Sequence, residues 1–268
     1  ITQYKRAIQI NPNYYEAYNN MGLALTELKK YNEAENILKK AIKINPKKVL
    51  AYNNLGNIYF RDKYFHKAIK YYKEVIRLDP HYSKAYNNLG KIHNFMEQYN
   101  QAILFYEKAI EIDPYYYEAY NGMGVALREN ERYKDAEKVL RHVIKLKPKF
   151  AEAHYNLGHV FRLIGDNKNS IHLLKLAVAL DPNSIVFLHS LLFCMNYSPN
   201  MSAEEIFEHY KLFDQRFGLP HKYKWKTFAQ PKVPNKKLKI GYVSPDFREH
   251  SMKRFLLPTL AHHDHQKI

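Results

Sequence analysis

Cysteine is almost absent from this sequence, since Cys194 is the only one among 268 residues. A single thiol can form neither an intramolecular disulfide nor a metal site built from several cysteines, so both are excluded. The sequence also lacks any run of about 18 apolar residues, the length that a membrane-spanning helix requires. We therefore expect no membrane association and a location in a reducing compartment, the cytoplasm.

Acidic residues are too few to balance the basic ones, and the formal net charge is +16. Such an excess is compatible with nucleic-acid binding. Its distribution argues against that function, because residues 219–268 hold 11 Lys or Arg and three Asp or Glu, which is half of the whole excess. We interpret the charge as a solvated basic surface and expect no nucleic-acid partner. Nucleic-acid binding stays open as the least favoured alternative.

Only 12 prolines and nine glycines occur, yet about half of them follow a regular period. Six prolines stand 34 residues apart, at Pro12, Pro46, Pro80, Pro114, Pro148 and Pro182. A fixed period of this length is typical of solenoids built from two-helix units. When each proline is taken as position 32 of a 34-residue frame, position 8 is glycine at Gly22, Gly56, Gly90, Gly124 and Gly158. Position 20 is alanine at Ala34, Ala68, Ala102 and Ala136.

Residues 1–184, with these glycines, alanines and prolines, resemble the tetratricopeptide repeat family. The resemblance implies an all-α, right-handed superhelical solenoid, in which five full repeats follow the second helix of a sixth. Glycine at position 8 and alanine at position 20 let the two helices of a repeat approach closely. Glycine inside a helix costs about 1 kcal/mol relative to alanine, so its recurrence requires such a packing reason. Proline at position 32 ends the second helix, since it lacks an N–H group.

Asparagine recurs at position 6, on the side of the first helix that is opposite to the apolar positions and that lines the inner surface of a superhelical stack. The four residues are Asn20, Asn54, Asn88 and Asn156, and Gly122 interrupts the series. A carboxamide both donates and accepts hydrogen bonds, so this series is suited to bind the main chain of an extended peptide whatever its side chains. The alternative, that these amides bond to neighbouring helices or to water, stays open.

The repeat pattern stops after Pro182. Residues 185–218 are predicted to be capping helices: an apolar helix in 184–197, then a helix that begins at the capping box of Ser202 and Glu205 and ends at Gly218. Residues 219–237, rich in lysine and proline, are predicted to be a linker or an extended segment. Residues 238–268 read as a strand, a polar loop and a helix, which is the beginning of an α/β domain. Because such a unit cannot stand alone, we expect the sheet to continue beyond residue 268.

The segments LHSLLFCMNY, KLKIGYVSPDFREHS and FLLPTLAHHD resemble the protein O-linked N-acetylglucosaminyltransferase family, in particular its Spindly-like branch. The resemblance implies a repeat array followed by a glycosyltransferase-B-like catalytic domain, of which 238–268 is the truncated beginning. The parent enzyme would transfer a sugar, with GlcNAc from UDP-GlcNAc as the first expectation, to Ser or Thr of acceptor proteins. These 268 residues alone are expected to be inactive and to need no cofactor.

The same resemblance assigns roles to single residues. Asn20, Asn54, Asn88 and Asn156 would bind acceptor proteins in extended conformation. His250 matches an active-site histidine and would act as general base or orient the donor phosphates. The residues Arg248 to Ser251 replace the Gly-Asn-His-Pro of animal-type members, so the donor sugar stays open between GlcNAc and fucose. Family members pair through their repeats, so a homodimer is an expected partner arrangement.

Two further features of the sequence bear on function. The run His-His-Asp-His at 262–265 is interpreted as a helix end, because adjacent histidines do not share a helix face, and no metal site is expected. The main alternative function is a stand-alone tetratricopeptide scaffold that mediates protein–protein interactions and is not an enzyme. That reading predicts stable folding after deletion of residues 219–268.

Overall fold

The computed structural model describes residues 1–199 and 201–224, and all regular secondary structure in that part of the chain is helical. Ile1–Pro220 forms one compact unit, and His221–Ile268 is a second one. The helices of the first unit are α1 Thr2–Ile10, α2 Tyr15–Glu27, α3 Tyr31–Ile44, α4 Val49–Arg61, α5 Phe65–Leu78, α6 Ser83–Phe95, α7 Tyr99–Ile112, α8 Tyr117–Glu129, α9 Tyr133–Leu146, α10 Ala151–Leu163, α11 Asn167–Leu180, α12 Ile185–Asn196 and α13 Ala203–Phe213.

Helices α2 to α11 pack as five consecutive pairs, each made of a 13-residue helix followed by a 14-residue helix. The second helix of each pair also packs against the first helix of the next pair, so the pairs form a continuous stack. Helix α1 precedes the stack and packs on α2. The predicted all-α solenoid of two-helix repeats is therefore confirmed.

The two helices of a pair meet at the glycine of position 8. A Cβ atom placed on Gly56 would lie 2.6 Å from Cε1 of Tyr72, and one on Gly90 would lie 2.7 Å from the same atom of Tyr106. Both tyrosine rings are buried, as are the alanines of position 20. The absence of a side chain at position 8 is thus what makes room for the residue at position 24.

Each turn between the two helices of a pair closes with a left-handed residue at position 15. Lys29, Lys63, Glu97 and Glu131 have φ of about 60°, and Gly165 has φ of 86°. In the first repeat Lys30 N donates to Leu25 O at 2.9 Å, which is the hydrogen bond of a Schellman motif. In four repeats the sequence therefore places a charged, non-glycine residue in a conformation that favours glycine.

The chain between repeats turns at the residue that precedes each of the six periodic prolines, which is Asn or Asp except at Lys147. Asn45 Oδ1 accepts from Lys47 N at 3.2 Å, and Asp79 Oδ1 accepts from His81 N at 3.0 Å. These side chains supply acceptors where the helix has ended, which is how Asn and Asp stabilise turns.

The C-terminal helices begin as the sequence indicates, and their end differs from the prediction. Ser202 Oγ accepts from Glu205 N at 3.1 Å at the start of α13. After α13, Asp214–Gly218 forms a π-helical turn and Leu219–Lys224 a 3-10 helix. The predicted helix end at Gly218 is wrong, because Gly218 does not adopt the left-handed conformation that ends a helix. The first six residues of the predicted linker are accordingly helical rather than extended.

The predicted strand and helix of 238–268 lie outside the described residues. Within the residues that the structure describes, no helix is both long enough and apolar enough to cross a membrane.

Candidate functional site, an asparagine-lined groove

A groove of about 560 Å³ runs along helices α2, α4 and α6 and reaches Tyr116 at the start of α8. Its lining is rich in carboxamides, from Asn53, Asn54, Asn57, Asn87 and Asn88. The first helices of two successive repeats, α4 and α6, supply these asparagines, so the groove crosses the boundary between repeats. Two of the four asparagines singled out from the sequence, Asn54 and Asn88, lie in it; Asn20 and Asn156 are not among its lining residues.

Three of the four asparagines of position 6 are joined to the preceding repeat by a repeated hydrogen bond. Asn54 Nδ2 donates to Asn19 Oδ1 at 3.0 Å, and Asn156 Nδ2 donates to Asn121 Oδ1 at 3.0 Å. Each acceptor belongs to position 5 of the repeat before. The amide nitrogens thus bond to neighbouring helices, which is the role that the alternative reading of these residues predicted.

Asn88 is also connected to the preceding repeat, and its Nδ2 group is shared between two acceptors there. Its Nδ2 lies 3.5 Å from Asn53 Oδ1 and 3.2 Å from Asn57 Oδ1. Tyr72 Oη also donates to Asn57 Oδ1, at 2.7 Å. Asn57 is therefore an acceptor for two donors, and it fixes the position of the Asn88 amide in the groove.

The carbonyl oxygens of Asn54 and Asn88 have no hydrogen-bond donor in the described part of the chain. Both side chains are half-buried. Because their nitrogens are held by the preceding repeat, the orientation of each amide is fixed. The groove consequently presents two preorganised acceptors from successive repeats.

Asn20 and Asn156, at the two ends of the series, differ from the middle pair. Asn20 is exposed, and its Oδ1 accepts from Asn19 Nδ2 at 3.3 Å. Asn156 is only 7% exposed, and its Oδ1 accepts from Arg128 Nη1 at 3.3 Å. Both polar atoms of the Asn156 amide thus form hydrogen bonds within the protein. Its carbonyl oxygen is therefore less accessible to a ligand than those of Asn54 and Asn88.

The interruption at Gly122 has a structural consequence one repeat earlier. Asn87 is 1% exposed, and its Nδ2 donates to Tyr116 Oη at 3.2 Å, whereas its Oδ1 has no partner among the described groups. In the three other repeats with an asparagine at position 5, this oxygen accepts from the asparagine at position 6 of the following repeat, which Gly122 cannot replace. A Cβ atom on Gly122 would lie 2.6 Å from Cε1 of Tyr106, so the Tyr106 ring occupies the space that an asparagine side chain would need.

The groove also carries charge. Arg61, Lys84 and Lys91 line it, against the single carboxylate of Glu27. Burial lowers the pKa of the Lys91 ammonium, and the charge of Glu118 partly opposes that effect. The groove is therefore basic around α6.

A second basic cluster lies farther along the array, around His159. Its Nε2 is 3.4 Å from Ser190 Oγ, and its Nδ1 is 3.5 Å from Arg162 Nη2. Burial, followed by the positive charges of Arg128 and Arg162, lowers the pKa of His159 from 6.5 to about 4. The imidazole is therefore neutral at pH 7, and the positive charge of this cluster comes from the arginines.

The sequence analysis missed the asparagines of position 5. Asn19, Asn53 and Asn87 each precede a position-6 asparagine, so the repeated doublet Asn-Asn was the available signal. Tyr82 and Tyr116 pack against the core, and both line the groove as well.

The predicted catalytic histidine, His250, lies outside the described residues, as does the run at 262–265. Among the described residues, no group of three His, Cys, Asp or Glu side chains is arranged to hold a metal ion.

Sequence models of the tetratricopeptide repeat match the chain from its first residue to residue 184. One matches residues 1–29 and 22–63, and others match 48–114, 96–158 and 151–184. The matched range coincides with helices α1 to α11 and the turn that follows them.

Similar proteins include "Probable UDP-N-acetylglucosamine--peptide N-acetylglucosaminyltransferase SPINDLY" of Hordeum vulgare, 34% identical over 88 residues, which are 33% of this chain and 9% of that protein. The protein of the same name from Arabidopsis thaliana is 33% identical over 88 residues, 33% of this chain and 10% of that protein. The similarity thus spans about a tenth of the length of these relatives.

Solved structures with the same fold are more distant in sequence. The APC/C hetero-tetramer Cut9–Hcn1 matches with a TM-score of 0.70 and 16% identity, over 80% of this chain and 42% of that one. The type IV pilus biogenesis factor PilW matches at 0.68 and 19%, over 76% and 93%. YrrB, described as a TPR protein with an unusual peptide-binding site, matches at 0.53 and 21%, over 70% and 96%. These likenesses show the fold.

Proposed function

We propose that this chain, a tetratricopeptide repeat protein over residues 1–184, binds extended segments of acceptor proteins in its groove and belongs to a protein O-glycosyltransferase. The parent would transfer a sugar from a nucleotide sugar, UDP-GlcNAc in the first instance, to Ser or Thr of the bound protein. The present residues would supply acceptor binding and no catalysis. A cytoplasmic location and a homodimer through the repeats belong to the same proposal.

One observation carries the binding part of the proposal: the unpaired carbonyl oxygens of Asn54 and Asn88. The Nδ2 atom of each of these amides donates a hydrogen bond to the preceding repeat, which fixes the position of the oxygen in the groove. An extended peptide presents main-chain N–H groups that are not used in secondary structure, and these are the donors that amide oxygens accept. The side chains of the ligand need not contact the amides, so one groove would accept many sequences.

Two comparisons support the proposal from outside the chain. The relatives named SPINDLY are described as probable peptide N-acetylglucosaminyltransferases, and the similarity covers about a tenth of their length. YrrB, a protein of the same fold, is described as having an unusual peptide-binding site. Because both concern other proteins, binding and transfer need separate tests.

Binding is tested with the 268-residue chain and a display library of random peptides. We expect peptides to be enriched on the wild type and lost on an Asn54→Ala, Asn88→Ala double variant whose folding is verified by circular dichroism. An exposed control outside the groove, Asn13→Ala, should enrich the same peptides as the wild type. Equal enrichment on the double variant would contradict the proposed groove.

Transfer is tested with the full-length parent, because His250 is the proposed catalytic residue. Acceptor proteins are incubated with UDP-GlcNAc or with a fucose nucleotide, and their mass shift is measured. We expect one donor to give a shift that the His250→Ala variant does not give. If no sugar nucleotide gives a mass shift, the proposed transferase function is wrong and the scaffold function is favoured.

The alternative, a stand-alone scaffold, has one observation in its favour. Among the described residues, those that line the groove lie between Leu23 and Tyr116, within the first unit. A scaffold would keep both peptide binding and stability when residues 219–268 are deleted. Loss of stability on that deletion would argue against the scaffold and for a C-terminal segment that belongs to a larger domain.

A further inference from the structure

The groove changes character along its length. Leu23 on α2 and Leu50 on α4 line its N-terminal part, and both side chains are about half exposed (45% and 46%). Lys84 and Lys91 on α6 line the part that follows. A ligand that follows the groove therefore meets an apolar wall first and a basic wall next.

Lys91 differs from the lysines of this chain that form an ion pair. Lys39 and Lys108, on outer helices, pair with Glu35 at 2.5 Å and with Glu111 at 2.8 Å. Lys91 is half-buried, and no carboxylate of the described residues forms an ion pair with it. The charge of Glu118 acts on this ammonium without forming an ion pair with it. A partly desolvated ammonium without a direct ion pair is costly, and an arriving carboxylate would offset that cost.

The position of Lys91 relates it directly to the main-chain acceptors. It lies three residues after Asn88 on the same helix, so the two side chains are neighbours on one helix face. The unpaired Asn88 Oδ1 and the unpaired ammonium can therefore act on one segment of ligand, the first on its backbone and the second on a side chain.

We propose that the groove selects acceptor segments in which an acidic side chain reaches Lys91, assisted by Lys84, while apolar side chains lie against Leu23 and Leu50. The inference rests on the proposed function and names the class of peptide that the groove prefers. In this proposal the amides bind the peptide main chain whatever its sequence, and the two lysines give the groove its preference for acidic side chains.

A carboxylate could come from an Asp or Glu side chain or from a free C-terminus. The groove continues past Lys91 on both sides, toward Leu50 in one direction and toward Tyr116 in the other. A segment that fills it runs beyond Lys91 in both directions, so the geometry favours a side-chain carboxylate within the segment.

The experiment uses the full chain and random peptides displayed with their C-termini fused to the carrier, which removes free terminal carboxylates. Wild type, Lys91→Met, Lys91→Arg and the control Lys70→Met are compared. Lys70 is exposed on α5 and does not line the groove. The Met variant keeps the length of the apolar stem, the Arg variant keeps the charge, and thermal unfolding verifies that all four are folded.

We expect Asp and Glu to be enriched on the wild type, on Lys91→Arg and on Lys70→Met, and not on Lys91→Met. A selected peptide, synthesised with an amidated C-terminus, should lose about fivefold to tenfold in affinity for the wild type when its acidic residue becomes the matching amide. The same change should have little effect on binding to Lys91→Met.

The outcomes separate this inference from the proposed function. Peptides that bind with no acidic preference, or with a preference that Lys91→Met retains, would overturn the inference and leave the groove as a binding site. A preference found only for peptides with free C-termini would also overturn it, in favour of terminal recognition. If no peptide binds, the proposed function itself fails.

Discussion

The Nδ2 atom of Asn54 lies 3.0 Å from the Oδ1 atom of Asn19, which belongs to the preceding repeat. The two residues are 35 positions apart, one more than the repeat length, so the bond joins position 6 of one repeat to position 5 of the repeat before it. The second repeat takes part in two such bonds, through Asn54 with its predecessor and through Asn53 with its successor. This relationship means that the same amides connect the repeats and line the groove.

Removal of such an amide should therefore affect stability as well as binding. Asn54→Ala leaves Oδ1 of Asn19, a residue only 6% exposed, without its donor, which costs about 1–3 kcal/mol. Asn20→Ala should cost less, because Asn20 is exposed and water can replace it. Urea denaturation followed by circular dichroism compares the two variants, and equal losses would show that the bond between repeats contributes nothing particular.

The unpaired Oδ1 of Asn87 predicts that substitutions at Gly122 and at Tyr106 have coupled effects on stability. Gly122→Asn alone should destabilise the array by about 1–3 kcal/mol, because its side chain meets the Tyr106 ring. Combined with Tyr106→Leu, the residue type found at this position in three other repeats, the new amide can donate to Asn87. A double-mutant cycle should give a favourable coupling of about 0.5–3 kcal/mol, and additive effects would contradict this explanation of Gly122.

The glycines of position 8 are predicted to differ in their tolerance of a methyl group. At Gly56 a Cβ atom lies 2.6 Å from the buried Tyr72 ring, whereas at Gly158 the nearest atom is 3.1 Å away, on Leu174. Gly56→Ala should cost about 1–3 kcal/mol through overpacking. Gly158→Ala should be close to neutral, because the gain of about 1 kcal/mol in helix propensity offsets a smaller clash. Thermal unfolding of the two variants checks the order, and the reverse order would be inconsistent with this packing.

The fold was predictable because its determinants repeat in the sequence. Small residues at positions 8 and 20 and proline at position 32 recur with one period, and each has a local physical role. The left-handed turns at Lys63 and Glu97 were not predictable, since only Gly165 among the five turn residues carries the usual signal. There the packing of the two helices imposes a conformation that the residue alone does not favour.

The site was predictable only in part. The recurrence of asparagine at position 6 identified Asn54 and Asn88, because it depends on the repeat frame alone. Their bonds to position 5 of another repeat depend on how successive repeats are stacked, which the sequence of one repeat does not determine. The unpaired oxygen of Asn87 depends in addition on Gly122 in the next repeat and on the Tyr106 ring packed against that glycine, so it could be found only from the assembled structure.

The neutral His159 predicts a pH dependence of stability. Its pKa in the folded protein is about 4, below the ordinary value of 6.5, so the unfolded chain binds more protons between these two values. Stability should therefore fall as the pH falls through this window, by about 2 kcal/mol for this group after allowance for its partial exposure. Urea denaturation at pH 7 and near pH 4 should show a larger loss for the wild type than for His159→Gln. Equal losses would mean that His159 is protonated as easily in the folded state.

The central claim is that the groove binds the main chain of an extended peptide. The most direct measurement is the Kd of a selected peptide and of analogues methylated on alternate backbone nitrogens, in each of the two registers. If Asn54 and Asn88 accept main-chain N–H groups, methylation in one register should weaken binding at least tenfold, while alanine at the non-acidic side chains has a much smaller effect. Binding that withstands methylation in both registers and fails on side-chain replacement would contradict the account.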